Sequence, residues 1–197
     1  MPIILWFNMV NEADSILKIL IENKKEKFSI RKLSKLRNIN YKSAYNAIIK
    51  LNDEGIIDLK KLGNTTLCSF NLKFNSRVFN VECERRNSLL KNKDFEVLCS
   101  RLSKIPLQFT VLLFGSYAKK TYDKHSDIDL LIIGKNLKRV EEETSLMPLK
   151  IHLTLVSEVE FLNMARNREF SVVSEAVENN VILLSIENYY RLLENAG

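Results

Sequence analysis

Two aspartates, Asp127 and Asp129, open an apolar, β-branched run, Asp127-Ile-Asp-Leu-Leu-Ile-Ile133, which Gly134 closes. Residues two apart on an extended segment project to the same side of a sheet. Both carboxylates are therefore expected on one face, with Ile128, Leu130 and Ile132 turned to the core. Two carboxylates held together repel each other and need a cation, and paired oxygens with open positions suit Mg²⁺. Upstream, Leu107–Phe114 reads as a second apolar strand that runs straight into Gly115-Ser116. A helix starting there with Tyr117-Ala-Lys-Lys120 would offer backbone N–H groups and a positive dipole end to a phosphate. Glycine at 115 would let that phosphate come close to the backbone. The chemistry such a pairing could carry is the handling of a metal-bound phosphate ester.

The elements around these residues are short. Val78, Phe79, Val81, Leu89, Leu90, Phe95, Val97, Leu98 and Leu102 repeat at helical spacing across 76–104, a helical connector that Ile105-Pro106 ends, because the residue before proline is pushed out of the helical region. Beyond Asp129, Lys150–Val156 alternates as a third strand. Ser157-Glu-Val-Glu160 has the pattern of a capping box, which gives Glu160 a structural role and leaves Glu158 beside it. Phe161–Met164 and Phe170–Val177 read as amphipathic helix, followed by a short strand at Val181–Ser185.

The order strand, Gly115-Ser116, helix, Asp127-x-Asp129, strand resembles the DNA polymerase beta-like nucleotidyltransferase superfamily. LLFGSYAKKTYDKHSDIDLLII is close to its minimal single-domain members, those related to kanamycin nucleotidyltransferase and to prokaryotic antitoxin partners. The resemblance covers 105–197. It implies that Asp127 and Asp129 hold Mg²⁺ or Mn²⁺ and that Gly115, Ser116, Lys119 and Ser126 contact a nucleoside triphosphate, as substrate or effector. It also implies transfer of a nucleoside monophosphate to a hydroxyl with release of pyrophosphate. Two departures stand out. Lys119 occupies a position where many members carry arginine, so a phosphate contact there would lack bidentate geometry. The family also draws a third carboxylate from the next strand. If Ile151, Leu153 and Leu155 face the core, that strand turns His152 and Thr154 to the site instead. His152 could ligate metal or serve as base, although a strand histidine is often a satisfied surface or core residue.

The first third has a different order. Asn11 can cap a helix through Glu22, with Ala13, Ile16, Leu17 and Leu20 on one face. Ser29 can cap a short helix in which Ile30, Leu33 and Leu36 share a face. The turn Arg37–Asn40 leads to a helix over Tyr41–Glu54, with Ala44, Ala47, Ile48 and Leu51 inward and Gly55 placed to stop it. Ile57–Leu59 and Thr66–Leu72 alternate as strands around the hairpin signal Gly63-Asn64. Residues 10–75 resemble a winged helix-turn-helix, including Leu51-Asn-Asp-Glu-Gly-Ile-Ile57. That resemblance implies that Tyr41, Lys42, Ser43, Tyr45 and Asn46 face DNA and that Lys60 and Lys61 in the wing meet phosphates. The same fold can also serve protein contacts or dimerisation.

Composition agrees with this division. The chain has 197 residues, 46% hydrophobic and 27% charged, with a net charge of +6. Val10–Asn75 holds 13 Lys/Arg against 7 Asp/Glu, and Ser76–Gly197 holds 17 against 17, so the whole excess lies in the first third. That asymmetry suits an anion-binding module joined to a neutral one. Five glycines and three prolines exclude collagen-like or Pro/Gly-rich disordered material. No apolar run approaches the roughly 18 residues of a membrane span, and Met1–Phe7 lacks the basic leader and cleavage site of a secretory signal. Three widely spaced cysteines, Cys68, Cys83 and Cys99, do not make a disulfide framework and point to a reducing cytoplasm.

The expected protein is of mixed α/β (α+β) class, with a winged helix-turn-helix over 1–75, a helical connector over 76–104 and a nucleotidyltransferase-like domain with a small mixed sheet over 105–197. Its expected work is Mg²⁺-dependent nucleotidyl transfer in association with DNA. The alternative is a DNA-binding transcriptional regulator whose degenerate C-terminal domain senses nucleotide or binds a partner. The resemblances add a homodimer or a toxin-type protein as further partners, and the lack of a long apolar run leaves no membrane partner expected.

Overall fold

The computed structural model describes residues 11–166 and 171–196, so the Met1–Phe7 stretch and Phe170 lie outside the described residues. The chain divides into two compact units, one ending at Val81 and the other beginning at Glu82.

The first unit begins with α1 (Glu12–Glu22), capped by the Asn11 side chain accepting from the Ala13 amide. β1 (Phe28–Ser29) leads into α2 (Ile30–Arg37), whose cap is the Ser29 hydroxyl, and Asn40 caps α3 (Tyr41–Asp53). Side-chain oxygens at these positions satisfy amides that a helix start leaves without partners. The expected inward faces are present, with Ile16, Leu17, Leu20, Leu33, Ala44, Ile48 and Leu51 fully buried. Leu36 is the exception at 54% exposed, because the buried face of α2 runs through Ile30, Leu33 and Ser34 and Leu36 turns away from it. Gly55 ends α3 at φ +70°, a conformation that costs a side chain but not glycine.

The hairpin is longer than its alternation suggests at one end and shorter at the other. β2 (Ile57–Leu62) pairs antiparallel with β3 (Thr65–Phe70), which stops before Leu72 because Leu72 turns to φ +65°. The two-residue β1 adds a third strand that periodicity cannot reveal, giving the order β1-β3-β2. Arg77, on α4 (Ser76–Leu89), ties the unit together by bonding Asp14 and gripping Glu54 through two nitrogens at 2.6 and 2.9 Å.

In the second unit β4 (Phe109–Phe114), β5 (Ile128–Gly134), β6 (Ile151–Val156) and β7 (Val181–Leu184) form one mixed sheet in the order β6-β5-β4-β7. β4 runs antiparallel to both β5 and β7, and β6 runs parallel to β5. Both faces are covered. Val111, Leu113, Leu130 and Ile132 join Phe95, Leu98 and Leu102 of α5 (Lys93–Ser103) and Val140 of α7 (Lys138–Ser145) in one apolar cluster. Helices α8 (Glu158–Arg166), α9 (Val172–Glu178) and α10 (Ile186–Ala196) contact β4 and β5. Burial on both faces explains why β4 and β5 read as continuous apolar runs, while β6 at the sheet edge alternates.

Two expected positions shift. The first strand starts at Phe109, with Leu107 37% exposed ahead of it, and Val97 on α5 is 47% exposed. Behind the sheet sits a buried polar network. Tyr190 donates to Glu82 Oε1 at 2.8 Å, Arg85 bridges the other Glu82 oxygen and the Asn180 carbonyl, and Asn180 donates to the Tyr189 oxygen at 2.8 Å. Cys68 and Cys99 are buried and burial pushes both thiols up to about 11, consistent with packing rather than reactivity, while Cys83 is half-buried.

Candidate functional site

One end of the second sheet collects most of the expected residues. β4 and β5 are antiparallel, so the last residue of β4 lies beside the start of β5, and Phe114 pairs with Asp129. The chain then turns at Gly115 directly against Asp129. β5 and β6 are parallel, so their starts coincide, and Asp129 pairs with His152 on its other side. Asp129 is thus flanked by the glycine turn on one strand and the imidazole on the next.

The turn at Gly115 has a strict requirement. Its φ is +65°, and a Cβ built there would stand 2.1 Å from Asp129 Oδ2. No side chain fits without displacing the carboxylate. The helix that follows, α6 (Gly115–Lys119), is five residues long and lacks a side-chain cap. It does not extend to Lys120, which takes the left-handed conformation at φ +58° and closes the helix.

Asp127 precedes β5 rather than lying in it. The Ile128 amide bonds the Lys150 carbonyl at 2.8 Å, which places Lys150 opposite Asp127, and Lys150 Nζ stands 4.0 Å from Asp127 Oδ1. Both side chains are mostly exposed, so this pair contributes about 0–1 kcal/mol. His152 Nδ1 lies 3.1 Å from Asp129 Oδ1. A carboxylate only accepts, so in this bond Nδ1 carries the proton and Nε2 is left for other partners. Ile151, Leu153 and Leu155 pack against the apolar cluster, as alternation requires, and Thr154 shares the His152 side of the strand.

The remaining expected contacts are distributed differently. Lys119 Nζ is held 2.7 Å from Glu175 Oε1 on α9, a pairing no local spacing could signal. Ser126 structures the loop before β5: its hydroxyl accepts from the Asp123 amide at 2.9 Å and donates to Asp123 Oδ1 at 3.2 Å. The Asp123 carboxyl is held below its usual range by the His125 amide and then by the Ser126 hydroxyl. Tyr122 lies on Tyr117 with centroids 4.3 Å apart and planes within 9°, which pins the same loop to α6. Ser157 and Glu160 form the expected reciprocal cap, and the Ser157 amide and hydroxyl hold the Glu160 carboxyl low. The Glu160 carboxylate is thus committed to the cap, and Glu158 faces Arg191 at 3.5 Å.

Among the described residues no three His, Cys, Asp or Glu side chains form a closed metal cage. Asp127 and Asp129 are the carboxylates available at this sheet end.

In the first unit, Lys42, Tyr45 and Asn46 lie on the exposed side of α3, and Lys60 and Lys61 are exposed on β2. The Ser43 amide is taken by the Asn40 cap at 2.8 Å.

Residues 95–183 match the family described as a nucleotidyltransferase domain. A curated protein of Methanocaldococcus jannaschii, named "Putative protein adenylyltransferase", is 35% identical over 63 residues, 32% of this chain and 63% of that relative. The chain therefore spans less than two thirds of the relative's length. No solved structure matches the chain. No described helix is long and apolar enough to cross a membrane.

Proposed function

We propose that the second unit transfers a nucleoside monophosphate from a nucleoside triphosphate to a hydroxyl, and that the first unit is a winged helix-turn-helix that brings it to nucleic acid. The observation that carries the first part is the seating of Gly115 against Asp129. Only glycine lets the strand carboxylate sit this close to the turn, so a Mg²⁺ on Asp129 would be brought beside the Gly115-Ser116 backbone. In the transfer, the acceptor oxygen bonds to the α-phosphorus, the bond from that phosphorus to the bridging oxygen breaks, and pyrophosphate leaves. A Mg²⁺ held by Asp127 and Asp129 would neutralise charge developing on the phosphate oxygens. His152 orients Asp129 through Nδ1 and presents Nε2 as the acceptor for the hydroxyl proton. Lys119, released from Glu175, can meet a phosphate oxygen as a point charge.

The name of the archaeal relative makes ATP and a protein hydroxyl the first donor and acceptor to try. Incubation with α-labelled ATP and Mg²⁺, followed by tracing the label into protein, RNA or small-molecule fractions, tests this reading. Label released only as free nucleotide in every fraction would contradict it.

One observation favours a second reading. β6 supplies His152 where a third carboxylate would hold the hydroxyl-activating metal. A site with two carboxylates can bind Mg²⁺-nucleotide without turnover, and the chain would then be a DNA-binding regulator with nucleotide as effector. Nucleotide-dependent DNA affinity without transfer in any variant separates the two.

A further inference from the structure

The solvent side of α3 is aromatic as well as basic. Tyr41 and Tyr45 are 56% and 46% exposed, their ring centroids are 6.5 Å apart, and their planes lie within 25° of parallel. Two large rings side by side in water leave apolar area uncovered that a partner could bury. Tyr41 also borders a cleft of about 500 Å³ lined by Ser29, Arg31, Lys35, Thr65 and Thr66, between the start of α2 and the hairpin tip. Tyr45 borders a second groove with Asn46, Ile49 and Lys50, which Asp53 and Glu54 also line. Cations and hydroxyls in the cleft beside Tyr41 and two near-parallel rings spaced by one helical turn therefore form a track.

We propose that this track binds single-stranded nucleic acid, with unpaired bases stacked on Tyr41 and Tyr45 and the backbone lying in the Arg31–Lys35 cleft. The inference rests on the nucleic-acid reading of the first unit and specifies its ligand. In a duplex the π-faces of the bases are hidden and only their edges are readable, chiefly by the forked donors of Arg, Asn and Gln. On α3 the track offers Asn46 beside Tyr45, and Arg31 lies in the cleft assigned to the backbone. Unpaired bases expose their faces, and stacking on aromatic rings is how sequence-tolerant single-strand binders hold them. The net +6 of Val10–Asn75 supplies the matching charge.

The test is fluorescence anisotropy of the full chain with a labelled 12-nucleotide single strand and with the corresponding duplex at matched salt. The single strand is expected to bind tighter. Tyr41→Ala and Tyr45→Ala should each weaken it by about 5- to 150-fold, the range for losing one stacked base. Tyr41→Phe and Tyr45→Phe should retain binding, and because both rings are exposed all four variants should melt as the parent does. Tighter duplex binding with no loss of single-strand affinity in the alanine variants overturns this inference and leaves the nucleic-acid reading standing. Binding of neither form at low salt overturns both.

Discussion

His152 Nδ1 reaches Asp129 Oδ1 across a parallel strand pair at 3.1 Å, with the imidazole 66% exposed. The bond occupies one oxygen of the carboxylate while Gly115 crowds the other. His152→Asp should supply a third carboxylate at the same point and raise metal-dependent transfer. A correctly placed base or ligand is worth about 10² to 10⁴ in rate, well within reach of a label assay. His152→Ala should lower whatever transfer the parent shows. Equal rates in all three proteins would remove His152 from the chemistry.

Gly115→Ala tests the seat itself. The new Cβ would meet Asp129 Oδ2 at 2.1 Å in a backbone conformation with φ +65°, so the carboxylate must move. The strain alone costs about 1–3 kcal/mol. Calorimetry with Mg²⁺ and a non-hydrolysable triphosphate should show binding reduced in step with that displacement. A variant that binds nucleotide like the parent would show that the close approach has no part in the site.

Most of this site was legible in the chain because its parts are local. Alternation turned His152 and Thr154 away from Ile151, Leu153 and Leu155, and Asp129 away from Ile128 and Leu130. Asn11, Ser29 and the Ser157–Glu160 box announced helix starts through side chains that bond amides within three residues. What stayed hidden depends on distant partners or on very short elements. β1 has two residues and exists only because Cys68 and Leu67 lie opposite. Lys119 meets Glu175 across 56 positions. Lys150 was findable, since it continues the alternation of His152 and Thr154, but it lies just ahead of the strand and pairs with a residue also outside one.

The buried network of the second unit gives a stability prediction independent of function. Glu82 and Arg85 are 0% and 6% exposed, so Glu82→Gln leaves the guanidinium in the interior without its counter-charge. A loss of about 3–5 kcal/mol is expected. Tyr190→Phe removes one charge-assisted hydrogen bond and should cost about 1.5–3 kcal/mol. Urea unfolding followed by circular dichroism measures both. Losses under about 0.5 kcal/mol in each would mean that water replaces these contacts.

Transfer of label from α-labelled ATP by the parent, Asp127→Ala and Asp129→Ala, with and without Mg²⁺, is the most direct test of nucleotidyl transfer at this sheet end. The parent is expected to transfer slowly and only with metal. Each alanine variant should lose about 10²- to 10³-fold, the scale of removing one preorganised electrostatic group. Both should still melt near the parent's temperature, since Asp127 is mostly exposed and Asp129 is not part of the apolar cluster. Undiminished transfer by both variants would contradict the assignment.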